Sequence, residues 1–316
     1  MNTDSGQGID PGQCNAPGAT PPHSLIAPAP LVREDRSVKD FEGRVVAITG
    51  AAGGIGRATA LAFAGRGAAL ALADIEREGL SAVERELRGQ GRRVLARAVD
   101  VARAEEMERF ADEVWGLFGR VDILVNNAGI ALNGFLEDMQ LADWRRILDV
   151  NLWGVIHGCH YFYPRMGRQA GGGHIVNVAS MAALGPLPAS TAYCATKSAV
   201  LGLSESLRIE ASRHGVGVST ICPGMVATGI GRTLKMVSGV PGRTAEETRR
   251  AIDGLMRRHG ARPERVAAAI VGAVETNARI VTVGPEAFAV DVLRRLSRPV
   301  YDTVMERALV ALLGKG

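Results

Sequence analysis

The sequence is poor in aromatic residues, which fill 4% of its 316 positions. Cysteine is scarce too: Cys14, Cys159, Cys194 and Cys222 stand far apart and form no C-x-x-C pair. That spacing excludes a disulfide framework and a structural zinc site. His157 and His160 are spaced like metal ligands, but no third ligand is placed to complete a site, so no metal is expected. There is no run of ~18 uninterrupted apolar residues, which excludes a membrane-spanning helix. The 37 Lys and Arg against 33 Asp and Glu leave +4, a field too weak to imply nucleic-acid binding. The first residues carry neither a basic leader nor an apolar run. No secretory signal is therefore read, and the expected location is cytoplasmic with reduced thiols.

What the chain does have is small residues, 39 of them glycine, a composition suited to helices packed closely on a sheet. Residues 1–38 differ from the rest. They hold six prolines and almost nothing large and apolar before Leu25, and so read as a flexible arm. From Phe41 onward, short apolar runs alternate with helical patterns. The runs are Val45–Ile48, Ala69–Ala73, Arg93–Val99, Ile123–Val125, His174–Val178, Gly217–Ile221 and Ile280–Val283. Each is continuous rather than alternating, the pattern of strands buried on both faces of a parallel sheet. Between them lie helices, among them one long helix expected from Leu141 to Gln169 and another from Thr191 to His214. The expectation is one doubly wound α/β domain over residues 39–284 with a seven-stranded parallel sheet. Residues 285–316 form a C-terminal extension, read as two amphipathic helices broken at Pro299.

The first strand runs directly into Thr49-Gly50-Ala51-Ala52-Gly53-Gly54-Ile55-Gly56, and a helix comes next. Glycine permits the positive φ of a tight turn and close approach of backbone to a pyrophosphate, and a helix N-terminus offers free N–H groups. Gly50, Ala52, Gly54, Ile55 and Gly56 are thus candidate contacts for a dinucleotide. Asp74 closes the second strand, where its carboxylate can accept both adenosine ribose hydroxyls and would repel an extra phosphate. NAD is therefore expected rather than NADP. Asp100 and Val101 end the third strand beside the adenine, and Asn127, Ala128 and Gly129 end the fourth, where small residues let a flat cofactor lie on the sheet edge.

Tyr193 and Lys197 stand at i and i+4 on one helix and face the same way. A nearby ammonium is expected to lower the phenol's pKa and suit it to general acid–base work. Ser180 comes after the fifth strand and would point into the ligand crevice, able to hydrogen-bond a substrate oxygen. Asn151, in the long central helix, could hold a water linking Lys197 to solvent. Asn177 reads as structural.

These motifs, in this order, resemble the short-chain dehydrogenase/reductase family over residues 41–284, where Thr49–Gly56, Asp100, Asn126–Gly129, Asn151, Ser180, Tyr193, Lys197 and Pro223-Gly224 with Thr228 match. The resemblance implies a Rossmann fold, a nicotinamide cofactor and a catalytic tetrad of Asn151, Ser180, Tyr193 and Lys197. It implies that Lys197 binds the nicotinamide ribose and that Pro223, Gly224, Val226 and Thr228 hold the carboxamide end. It also implies a homo-oligomer, a tetramer or, given the extension, a dimer.

Two segments would flank the substrate: Met181–Ala192, and residues 229–262, long enough to be a lid. Ser180, Ala182, Leu187, Tyr193, Met225 and Ile230 are the candidate substrate contacts. Their apolar character suggests a lipophilic secondary alcohol or its ketone, while the lid's many arginines read as a solvated face. Two alternatives remain open on these residues: non-redox chemistry such as epimerisation or dehydration through a bound cofactor, and a nucleotide-binding regulatory protein without turnover.

Overall fold

The computed structural model describes residues 40–313, so the proline-rich arm lies outside the described residues. Among the described residues nine strands occur: β1 (Val45–Thr49), β2 (Ala69–Asp74), β3 (Val94–Ala98), β4 (Ile123–Asn126), β5 (Leu132–Asn133), β6 (Gly173–Val178), β7 (Val216–Pro223), β8 (Lys235–Met236) and β9 (Ile280–Val283). Seven of them form one parallel sheet in the order β3-β2-β1-β4-β6-β7-β9. The seven-stranded expectation holds. The pair β5 and β8 forms a small second sheet that ties the segment after β7 to the loop after β4.

The continuous apolar runs have their cause in burial on both faces. Along β2, Ala69, Ala71 and Ala73 enter one core with Phe110 and Phe162, while Leu70 and Leu72 enter the other with Phe63 and Leu80. Helices Ala104–Phe118, Gly154–Met166 and Thr191–Ala211 cover the first face; Gly54–Ala64, Arg77–Gly89 and Pro263–Thr276 cover the second. Inside the first layer, Asn126 Nδ2 donates to Asn177 Oδ1 at 2.9 Å, and Asn177 Nδ2 donates to Ser204 Oγ at 2.9 Å. This buried amide chain links β4, β6 and the helix that carries Tyr193, so Asn177 is structural, as expected.

Two helical expectations change in detail. The helix expected from Leu141 to Gln169 is three pieces: Leu141–Leu148, a π-helical stretch Asp149–Trp153, and Gly154–Met166. The π-helical stretch carries Asn151, which is fully buried. The C-terminal helices are Pro285–Leu296 and Arg298–Leu312, and the break falls at Ser297 rather than Pro299. Ser297 caps the second helix through the Val300 N–H, and Pro299 sits in its first turn, where a missing N–H costs nothing.

Candidate active site

In open α/β sheets, ligands lie beyond the carboxyl ends of the strands where the strand order reverses. Here the reversal falls between β1 and β4, and a crevice of about 1120 Å³ opens there.

One wall is the glycine turn. Gly50 and Gly54 take φ of +67° and +52°. A Cβ on Gly50 would meet Ala128 Cα at 2.8 Å, and a Cβ on Gly56 would overlap the Gly50 carbonyl. Thr49 Oγ1 accepts the N–H groups of Asn127 and Ala128, each at 3.1 Å. Asn127 Nδ2 donates to the carbonyls of Thr49 at 2.9 Å and Gly50 at 3.0 Å. The turn after β1 and the loop after β4 are thereby joined. Helix Gly54–Ala64 starts with no side-chain cap and no acidic residue in its first turn, so its positive end is not neutralised from within.

Asp74 lies at the next strand end. Its Oδ2 accepts the Ala52 N–H at 2.8 Å and its Oδ1 accepts the Glu76 N–H at 2.9 Å. Each oxygen retains acceptor capacity, and the residue lines the crevice. Asp100 Oδ1 accepts the Ala102 N–H at 3.0 Å, and Val99 and Val101 form the apolar walls beside it.

The reactive cluster is at the other end. Ser180 caps the short helix Met181–Leu184, its Oγ accepting the Ala182 N–H at 3.2 Å. Tyr193 and Lys197 project from the start of helix Thr191–Ala211, with Ser180 near enough to the Tyr193 phenol to pull its pKa down. Lys197 is 5% exposed, its Nζ donates to the Val178 carbonyl at 3.0 Å, and burial pulls its pKa down to about 8. Asn151 grips Ile130, accepting its N–H at 2.8 Å and donating to its carbonyl at 3.0 Å. A Cβ on Gly129 would meet Asn151 Oδ1 at 3.2 Å and Lys197 Nζ at 3.6 Å, so glycine here keeps the amide and the ammonium close.

The phenol departs from expectation. Burial raises the Tyr193 pKa above its ordinary value, and only Ser180 pulls it back. The Lys197 ammonium is not among the groups that shift it, and burial is the largest influence.

Most of the expected residues meet at the crevice. Gly50, Ala52, Gly54, Ile55, Asp74, Asp100, Val101 and Asn127–Gly129 line it. So do Ser180, Tyr193, Lys197, Pro223, Gly224, Val226, Thr228 and Ile230. Five stand behind the wall. Gly56 and Asn151 support it from within, Ala182 is buried at 1% exposure, and Leu187 is turned to Cys194, whose Sγ accepts its N–H at 3.3 Å. The Met225 backbone bonds to Glu286 and Ala261. The sequence reading missed Glu76, Ile130, Arg145 and Val150, all of which line the crevice. Arg145 and Val150 share the helix face that precedes Asn151, a placement that the π turn obscures. Met256, within residues 229–262, lines the crevice too, from helix Ala245–His259.

Among the described residues no group of His, Cys, Asp or Glu is placed to hold a metal ion, and no helix is long and apolar enough to cross a membrane.

A family model described as short chain dehydrogenase matches residues 44–236. The chain belongs to the short-chain dehydrogenase/reductase family. It is 41% identical over 250 residues to EphD of Mycobacterium tuberculosis, an oxidoreductase by name; the match covers 79% of this chain and 42% of EphD, so the chain spans less than half the length of that relative. It is 39% identical over 270 residues to SadH of the same organism, also an oxidoreductase by name, covering 85% of this chain and 96% of SadH. Among solved structures, a family member from Burkholderia phymatum in complex with NAD superimposes with a TM-score of 0.77 at 32% identity, covering 83% of this chain and 96% of that one.

Proposed function

We propose that the protein interconverts a lipophilic secondary alcohol and its ketone with NAD as redox partner. The observation that carries this reading is the convergence of Ser180, Tyr193 and Lys197 at one end of a crevice whose other end offers an uncapped helix N-terminus and the carboxylate of Asp74. A nicotinamide dinucleotide bound there supplies the hydride acceptor or donor that no side chain can provide.

The protein's part is positioning and proton handling. The Gly50–Gly56 turn and the helix behind it receive the pyrophosphate, and Asp74 receives the adenosine ribose hydroxyls. Lys197 holds the nicotinamide ribose, and Pro223–Thr228 hold the carboxamide end. In oxidation Tyr193 Oη takes the substrate hydroxyl proton; in reduction it returns it. The Ser180 hydroxyl donates to the substrate oxygen and so offsets the charge that develops there. Asn151, fixed to Ile130, orders the proton path behind Lys197. Ile130, Ile230 and Met256 supply the apolar surface that favours a lipophilic substrate.

Asp74 with Glu76 beside it favours NAD, because two carboxylates at that end repel a 2′-phosphate. The family resemblance supports a homo-oligomer, and the buried free thiols Cys159, Cys194 and Cys222 agree with a cytoplasmic setting.

The test is a nicotinamide-absorbance assay of secondary alcohols and ketones of graded chain length, with NAD and NADP in parallel. Faster turnover with NAD, rising with the apolar size of the substrate, is expected. Clear preference for NADP, or for short polar polyols, contradicts the reading.

A further inference from the structure

The C-terminal helices carry side chains that bond to two segments next to the site, the strap after β7 and the loop between Ser180 and Tyr193. Glu286, in the first turn of helix Pro285–Leu296, accepts the Met225 N–H at 2.7 Å through Oε1. Met225 lies inside the strap Pro223–Thr228, where a bridge from Val226 to Ala261 takes the Met225 carbonyl and the Ala227 N–H and leaves the Met225 N–H to Glu286. Two glycines make the contact possible. Gly284 turns the chain out of β9 at φ +103°, and a Cβ on Gly224 would overlap the Glu286 carboxylate.

The second contact is with the loop that follows the Ser180 helix. Tyr301, 1% exposed, donates its hydroxyl to the Pro186 carbonyl at 2.7 Å. Arg294 donates to the Leu184 carbonyl. Gly185 lies between, and a Cβ there would meet Tyr301 Oη at 2.5 Å and Val290 Cγ1 at 2.6 Å. These carbonyls belong to the loop that joins the Ser180 helix to the Tyr193 helix. The remainder of that loop is held by the Gly134 N–H bonding the Ala189 carbonyl at 2.8 Å. The Leu187 N–H also bonds Cys194 Sγ at 3.3 Å, so removing the extension's contacts would free the Leu184 and Pro186 carbonyls at the end of the loop nearest Ser180.

We propose that the C-terminal extension is a positioning element of the site. Glu286 sets the Pro223–Thr228 strap against the dinucleotide, and Tyr301 sets the distance between Ser180 and Tyr193. The proposal rests on the dinucleotide reading above.

The experiment uses the full chain and titrates NADH and NADPH by fluorescence, with thermal melting of each variant as a fold control. Glu286→Ala is expected to weaken binding of the better dinucleotide about tenfold, the effect of losing one charged hydrogen bond. Glu286→Gln, which keeps an acceptor oxygen, is expected to restore most of that affinity. Tyr301→Phe is expected to leave the dinucleotide affinity within about twofold and to speed amide hydrogen exchange in residues 184–190. That split is one that general destabilisation would not produce. Unchanged affinity in Glu286→Ala, a Gln variant as weak as Ala, or an equal loss in Tyr301→Phe overturns the proposal alone. Failure of the unaltered chain to bind either dinucleotide overturns the proposed function with it.

Discussion

The Lys197 ammonium lies 5.8 Å from the centre of the Tyr193 ring and is buried with one carbonyl, that of Val178, as its hydrogen-bond partner. This costs stability. The folded chain holds the Lys197 proton less tightly than the unfolded chain does, with the pKa lowered from 10.5 to about 8. Between those values the unfolded state binds more protons, so this group's penalty is full below pH 8 and fades as pH rises toward 10.5. Lys197→Met is therefore expected to abolish turnover while raising stability at pH 7 by about 2 kcal/mol, after allowing for the orphaned Val178 carbonyl. Urea unfolding at pH 7 and pH 10 checks this: the gain should shrink at the higher pH.

His174 is a second buried titratable group, remote from the crevice. It is 1% exposed, bonds Ser219 Oγ at 2.8 Å, and burial with the nearby Arg208 charge pulls its pKa from 6.5 to about 3. The unfolded chain gains a proton here first on acidification, so stability is lost as pH falls from 6.5 toward 3. Imidazole NMR shifts should show His174 neutral at pH 5; a protonated ring in the folded chain at that pH would contradict its placement.

Asp74 bears on cofactor choice. Asp74→Ala removes the ribose acceptor and one of two carboxylates at that end of the crevice. It is expected to weaken NADH binding about tenfold or more and to narrow the gap to NADPH by a similar factor. Parallel titration of the two dinucleotides measures both effects.

Much of the fold and site was legible in the residues alone. The strands declared themselves because burial on both faces leaves few polar positions, and Asp74, Asn127 and Tyr193 with Lys197 could be placed because each ends such a strand or starts a helix. What escaped has physical reasons. The π turn at Asp149–Trp153 keeps an apolar pattern that a 3.6-residue period also fits. Strands β5 and β8 have two residues each, too short for any period. Glu286 and Tyr301 act on carbonyls and N–H groups far away in sequence, and backbone partners leave no residue pattern to read. The lowered phenol pKa was expected from charge alone, and burial reversed it.

The central claim is that Tyr193 is the proton donor and acceptor beside a bound dinucleotide, and Tyr193→Phe tests it most directly. The ring is kept and only the hydroxyl is lost. Turnover with the best alcohol or ketone should fall by about 10³-fold, while the dissociation constant for NADH changes by less than about twofold. A variant that binds NADH as well as the unaltered chain and still turns over at a comparable rate would contradict the account.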